Sequence, residues 1–301
     1  MSKPVIGILP KVSFQTSYRL NLFWHVMAKY GDVVPINPSL MSAVRQKYKI
    51  QNAGRRNPLV TKMLREMAYQ ADDWAFLEAG FRDPSTANVP FQVGSRYADY
   101  GVLLQKSMEL ESDSFRLTLD KEIEELGLYQ AYLDEKWEKY GEFVLNEYSR
   151  IANESWSLNK LQVYLVTRSL NTGIFRRDYL ILPYCRNFDQ GFCVLLHLLA
   201  RFLVTNKVLD ILYQHTGPSQ DLYLDAIYGL LVNHVLLNVT KNWPDFKAPV
   251  EPLGGLEFKI FRSLLPFWRE HLQLQNESFD TFLKRRISED FIPVAELGIA
   301  D

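Results

Sequence analysis

Cysteine is nearly absent from this chain: 301 residues hold only Cys185 and Cys193. That excludes the disulfide framework of a small secreted scaffold. Charge of one sign is also missing. The formal net charge is −1, so no global electrostatic pull draws the chain to nucleic acid or to an anionic membrane. Basic clusters occur at Arg55-Arg56, Arg176-Arg177 and Lys284-Arg285-Arg286, each too short for a phosphate-binding tract. The longest apolar run, near residues 191–204, is broken by His197 and Arg201. It falls short of the about 20 apolar residues that a membrane span requires, so it is expected to be a buried core helix. The amino terminus has too short an apolar run for a signal peptide, and prolines interrupt it. There is no Gly-rich phosphate loop, because Gly254-Gly255 lacks both the following Lys-Ser/Thr and dinucleotide-fingerprint spacing. Kinase, nucleophile-elbow and zinc-ribbon patterns are missing too, as are internal repeats and low-complexity tracts. The expectation is a folded cytoplasmic protein with no nucleic-acid and no membrane partner.

What is present is bulk for a core. Hydrophobic residues make up 47% and aromatic residues 13% of the chain, including 16 Tyr and 18 Phe, a content that argues against disorder. Ser17 is placed to cap a helix running to Tyr30, with Leu20, Phe23, Trp24 and Met27 as its stripe and Gly31 beyond its end. Asn57 at the cap and Pro58 at the first helical position start a second helix, expected to run to Ala79. Its apolar face reads Leu59, Met63, Leu64, Met67, Trp74 and Leu77. Residues 83–101 read as a loop, with a short strand at Phe91–Val93. A long helix is expected from Leu119 to Ile151, on a face from Leu119 and Ile123 through Tyr148, with Gly127 and Gly141 as points of kinking.

The texture changes near residue 160. Gln162–Thr167 and Asp178–Leu182 read as strands, with turn chemistry at Asn171-Thr172-Gly173 between them. Two very apolar helices follow at about Asp189–Tyr213 and Asp221–Val239, the second stopped by Trp243-Pro244. Amphipathic helices around Phe258–Trp268 and Phe279–Ile287 complete the chain after a turn at Pro249–Gly255. The fold class is therefore α+β, predominantly helical, with a small β-sheet and two apolar core helices. A helical part at residues 1–155 joins a core at 156–301 in one continuous globular unit.

Each apolar helix carries one polar stripe. Asp189, Cys193, His197, Arg201 and Thr205 are successive i, i+4 positions, and so are Asp221, Asp225, Gly229 and Asn233. If the stripes face each other, Arg201 finds a carboxylate in Asp221 or Asp225, which spares the cost of an unpaired buried cation. The competing reading makes the first stripe a solvent-exposed helix edge.

The order strand, turn, strand, then Val194-Leu195-Leu196-His197-Leu198-Leu199-Ala200-Arg201-Phe202-Leu203, resembles the core of zincin metallopeptidases of the gluzincin type. In that family a strand pair precedes a helix bearing H-E-x-x-H, and a second helix supplies a carboxylate ligand. The resemblance implies that His197 stands at the first histidine and Asp225 near the downstream carboxylate. Leu198 stands where the catalytic glutamate would be and Arg201 where the second histidine would be. Leucine takes no proton from water, and arginine offers zinc no lone pair. What is implied is a zincin-like core without the activity: a non-catalytic binding or scaffold protein for a protein or peptide partner, with no cofactor. His197, Leu198, Arg201, Asp221 and Asp225 line the remnant of the cleft. Two alternatives stand beside this. One is a rebuilt zinc site from Cys185, Cys193 and His197. The other is a hydrolase in which Cys193 and His197 act with a downstream carboxylate.

Overall fold

A computed structural model describes residues 8–30, 57–68, 98–167, 174–175, 178–215, 220–244, 246, 255–274 and 277–289. Residues 69–79, the expected strand at Phe91–Val93, the turn at Asn171–Gly173 and residues 249–254 lie outside them. The described part is predominantly helical around one small sheet.

The sheet has four strands among the described residues. Strand β1 (Lys11–Thr16) pairs in parallel with β2 (Lys160–Val166), and β2 in parallel with β4 (Tyr179–Pro183). The short β3 (Ile174–Phe175) closes the far edge antiparallel to β4. The two expected strands are thus present, but as parallel neighbours, and a third element between them returns the chain along the outer edge. Their nearly uninterrupted apolar sequence is that of strands covered on both faces, a pattern that carries no information on direction. Strand β1 was not anticipated. Its pairing with β2 runs across residue 155, so the amino-terminal part and the later core share one sheet.

Helix α1 (Tyr18–Tyr30) is capped as expected: the Leu20 N–H donates to Ser17 Oγ at 3.2 Å. Buried Asn21 docks it on the sheet. Its amide nitrogen donates to Leu165 O at 3.1 Å, and its oxygen accepts from Thr167 N at 2.8 Å. Both are backbone groups at the end of β2. Helix α2 (Pro58–Ala68) starts at its Asn57 cap, where the Leu59 N–H donates to Asn57 Oδ1 at 3.0 Å. The expected apolar face needs correction at Leu59, which is 54% exposed; Met63 is buried as expected, and so is Val60.

Helix α3 (Ala98–Ala152) is one element of 55 residues, about 80 Å of rise, starting 21 residues before the expected Leu119. The stretch read as loop up to Gly101 is helical from Ala98 onward. The upstream turns are polar on most sides and show weak periodicity, but Met108, Glu111 and Phe115 are buried in tertiary contacts. Gly127 and Gly141 do not interrupt the helix. Ile123 points outward at 54% exposure, and the buried face is Leu126, Tyr129, Leu133, Tyr140, Val144 and Tyr148. Asn153, at φ 50°, ends the helix in the left-handed conformation that asparagine tolerates, and Glu154 N closes back on Ser149 O at 3.2 Å.

Helix α4 (Phe188–His215) follows β4 directly, and α5 (Gln220–Asn242) packs against it. By length and composition Phe188–Leu212 is the one helix among the described residues able to cross a membrane. It is mostly buried here, with Phe192, Leu195, Leu196, Leu198 and Leu199 all at 0% exposure. Helix α6 (Gly255–Leu274) is longer at both ends than the expected Phe258–Trp268 and contains Pro266. Its second half is held by Trp268 and His271, which are buried against α7 (Phe279–Glu289). Ser278 caps α7, accepting from the Thr281 N–H at 3.2 Å.

Candidate functional site

The α4–α5 seam brings two of the expected site residues together. The Arg201 guanidinium Nη2 lies 3.9 Å from Asp225 Oδ1, with the two side chains 26% and 38% exposed. This is a loose, half-exposed ion pair rather than a buried bidentate fork. The same guanidinium sits over the ring of Tyr228, 5.6 Å from its centroid. Tyr228 is buried, and its hydroxyl and Thr205 Oγ1 are 2.9 Å apart. Thr205 donates back to the Arg201 carbonyl. Burial pushes the Tyr228 phenol above its ordinary value, against the opposing pull of the Thr205 bond and the Arg201 charge. The two stripes thus touch at Arg201 and Asp225, both partly exposed.

The other residues of the expected cleft have different surroundings. His197 is half-buried one turn before Arg201. Leu198 is fully buried and part of the core. Asp189, a stripe residue outside that cleft, accepts a hydrogen bond from the Tyr132 hydroxyl of α3. The side chain of Asp221 lies outside the described residues.

The rebuilt zinc site is not preassembled. Among the described residues, no three or more His, Cys, Asp or Glu side chains are gathered as metal ligands. Cys193 is fully buried, whereas Cys185 sits half-buried at the exit of β4 with its thiol 3.7 Å from Pro183 O. Full burial also keeps the Cys193 thiol from meeting a substrate, which counts against the Cys–His hydrolase.

Sequence reasoning missed a second polar cluster, where α3, α5 and α6 meet. Glu147 Oε2 accepts from Arg150 Nη2 at 2.9 Å and from Asn238 Nδ2 at 3.0 Å, and lies 3.3 Å from His234 Nε2. The His234 ring stands edge-on to Trp268. Against the cost of burial, these donors hold the Glu147 carboxyl down at about 2. Only the i, i+3 pairing of Glu147 with Arg150 and the i, i+4 pairing of His234 with Asn238 were visible in sequence. Their convergence depends on helices more than 80 residues apart.

Compared with known protein families, with curated proteins and with solved structures, the chain finds no match in any of the three.

Proposed function

We propose that this chain is a non-catalytic, cytoplasmic binding protein whose core is that of a degenerate gluzincin-type metallopeptidase. The observation that carries the reading is the Arg201–Asp225 pair at 3.9 Å across the α4–α5 seam. These are the two positions where the resemblance puts the second histidine and the downstream carboxylate of a zinc site. A guanidinium there brings the positive charge that zinc would bring and offers the carboxylate a partner. Fully buried Leu198, in place of the catalytic glutamate, provides no base for water activation. Three of the four strands, β2 to β4, come directly before α4 in the chain, an order that supports the reading.

The partner is an extended peptide or protein segment added to the sheet at β3. The opposite edge is less suitable. The Lys11 N–H bonds to Asn159 O, so in a parallel ladder Phe14, at the alternate register, turns its carbonyl outward. That carbonyl accepts from Gln130 Nε2 of α3 at 3.3 Å, which occupies the middle of the β1 edge.

The test is to return one residue to the metal-binding chemistry. Arg201→His combines His197, a second imidazole one turn later and Asp225 into a three-ligand set. Elemental analysis and zinc titration should find about one zinc per chain in the variant and none in the parent. A well-folded Arg201→His protein that binds no zinc would show that the seam lacks zincin geometry. Stoichiometric zinc in the parent would overturn the non-catalytic reading.

A further inference from the structure

The ammonium of Lys136 lies among three aromatic rings, 5.2 Å from the centroid of Tyr132, 5.8 Å from that of Tyr140 and 5.6 Å from that of Phe246. Tyr132, Lys136 and Tyr140 follow at i, i+4 and i+8 on one face of α3. Phe246 arrives from beyond the end of α5, so the third wall is a tertiary contact rather than a helical neighbour. The walls are well held. Tyr140 and Phe246 are each 2% exposed and stand edge-on to each other at 5.2 Å. Trp243 braces Tyr140 from 5.1 Å, and the Phe246 N–H donates to Trp243 O at 2.9 Å. The Tyr132 hydroxyl donates to Asp189 at the start of α4. Lys139 also approaches the Tyr140 ring, 5.2 Å from its centroid.

We propose that Tyr132, Tyr140 and Phe246 form a binding site for a methylated or quaternary ammonium ion, with the Lys136 ammonium as its resident stand-in. Ring faces attract a cation through their quadrupoles, and the attraction grows as the cation sheds water. An N-methylated ammonium spreads its charge over its methyl groups and is more weakly hydrated than a primary ammonium, so it gains more from the same three rings. The Lys136 stem is long and flexible, and its ammonium recovers full hydration on swinging out. Because Lys136 is tethered, it competes at high effective concentration and acts as a gate. This site is separate from the α4–α5 seam and does not rest on the metallopeptidase-like reading. Two sources share the chemistry: a free quaternary amine such as choline, and a methylated lysine in a protein segment.

The experiment is calorimetric titration of the full chain, at constant ionic strength, with tetramethylammonium, with choline, and with a short peptide bearing Nε-trimethyllysine beside its unmethylated twin. Trp243 fluorescence offers a second readout. Saturable binding to the parent is expected, about tenfold tighter in Lys136→Ala, and about tenfold weaker for the unmethylated peptide. Which of choline and the trimethyllysine peptide binds more tightly identifies the source. Phe246→Ala should abolish binding, and Phe246→Leu, which keeps most of the volume but no ring face, should do so with the melting transition retained. No saturable binding of any methylated probe to the parent would overturn the proposal, as would binding that survives Phe246→Leu.

Discussion

Replacing Gly191 by alanine should destabilise the protein, although the same change in an ordinary helix interior stabilises it by about 1 kcal/mol. Gly191 lies in the first turns of α4, where the ring of Tyr129 from α3 packs directly on its backbone. A Cβ built there overlaps the Tyr129 hydroxyl oxygen and falls 2.7 Å from two ring carbons. Tyr129 has no room to retreat: it is 0% exposed, its hydroxyl donates to Pro183 O at 3.3 Å, and Tyr184 and Phe188 pack on its ring. Overpacking of a closed core costs about 1–3 kcal/mol, and a displaced tyrosine forfeits a hydrogen bond of about 1 kcal/mol. Set against the propensity gain, the net loss is about 1–3 kcal/mol. Urea denaturation with a constant slope measures it. Tyr129→Phe should give little relief, because ring carbons remain in the way. Tyr129→Ala should be far less harmful in the Gly191→Ala background than in the parent, a favourable coupling. A Gly191→Ala protein as stable as the parent would refute the packing argument.

The seam between α3 and α5 should weaken in acid. The folded-state Glu147 carboxyl titrates at about 2 against an ordinary 4.5, so its contribution is complete above pH 4.5 and is lost as pH falls from there towards 2. A shift of this size corresponds to about 3 kcal/mol; screening at Arg150, whose side chain is 46% exposed, reduces the expected loss to about 1–2 kcal/mol. Glu147→Gln should flatten the stability profile in that window, as measured by denaturation at stepped pH. His271 acts at a higher pH. Burial between Trp268 and Phe282 pushes its imidazole below the ordinary 6.5, helped by the Arg285 charge and opposed by Glu277. Stability from this group is therefore complete above pH 6.5 and declines as pH drops below it. His271→Phe should remove that decline; a persisting decline would assign it elsewhere. Glu111, 2% exposed, accepts from the Tyr30 hydroxyl and from Lys29 Nζ at 2.6 Å. Glu111→Gln should cost about 2–3 kcal/mol by leaving Lys29 without its charge partner, with melting temperature as the readout.

Much of the secondary structure was legible because it is encoded locally. Ser17, Asn57 and the apolar periodicity of α4 and α5 report on neighbours within a turn or two, and their helices begin where those residues require. That Arg201 could meet a carboxylate of α5 was readable from the two stripes of i, i+4 polar residues, but whether Asp221 or Asp225 supplies it, or the stripe is only a solvent-exposed edge, was not. Other features depend on distant parts of the chain. The direction of β2 and β4 and the addition of β1 to their sheet follow from which backbone groups could be satisfied after collapse, and strands buried on both faces carry no alternation to reveal it. The early start of α3 depends on Met108, Glu111 and Phe115 finding partners on α1 and α2. The Glu147–His234–Asn238 cluster and the cage around Lys136 each gather residues from helices or segments that sequence spacing leaves unrelated. Local composition determined which segments became helices and which faces sought the core. Only tertiary structure decided which polar side chains met, because that depends on helix packing between residues about a hundred positions apart.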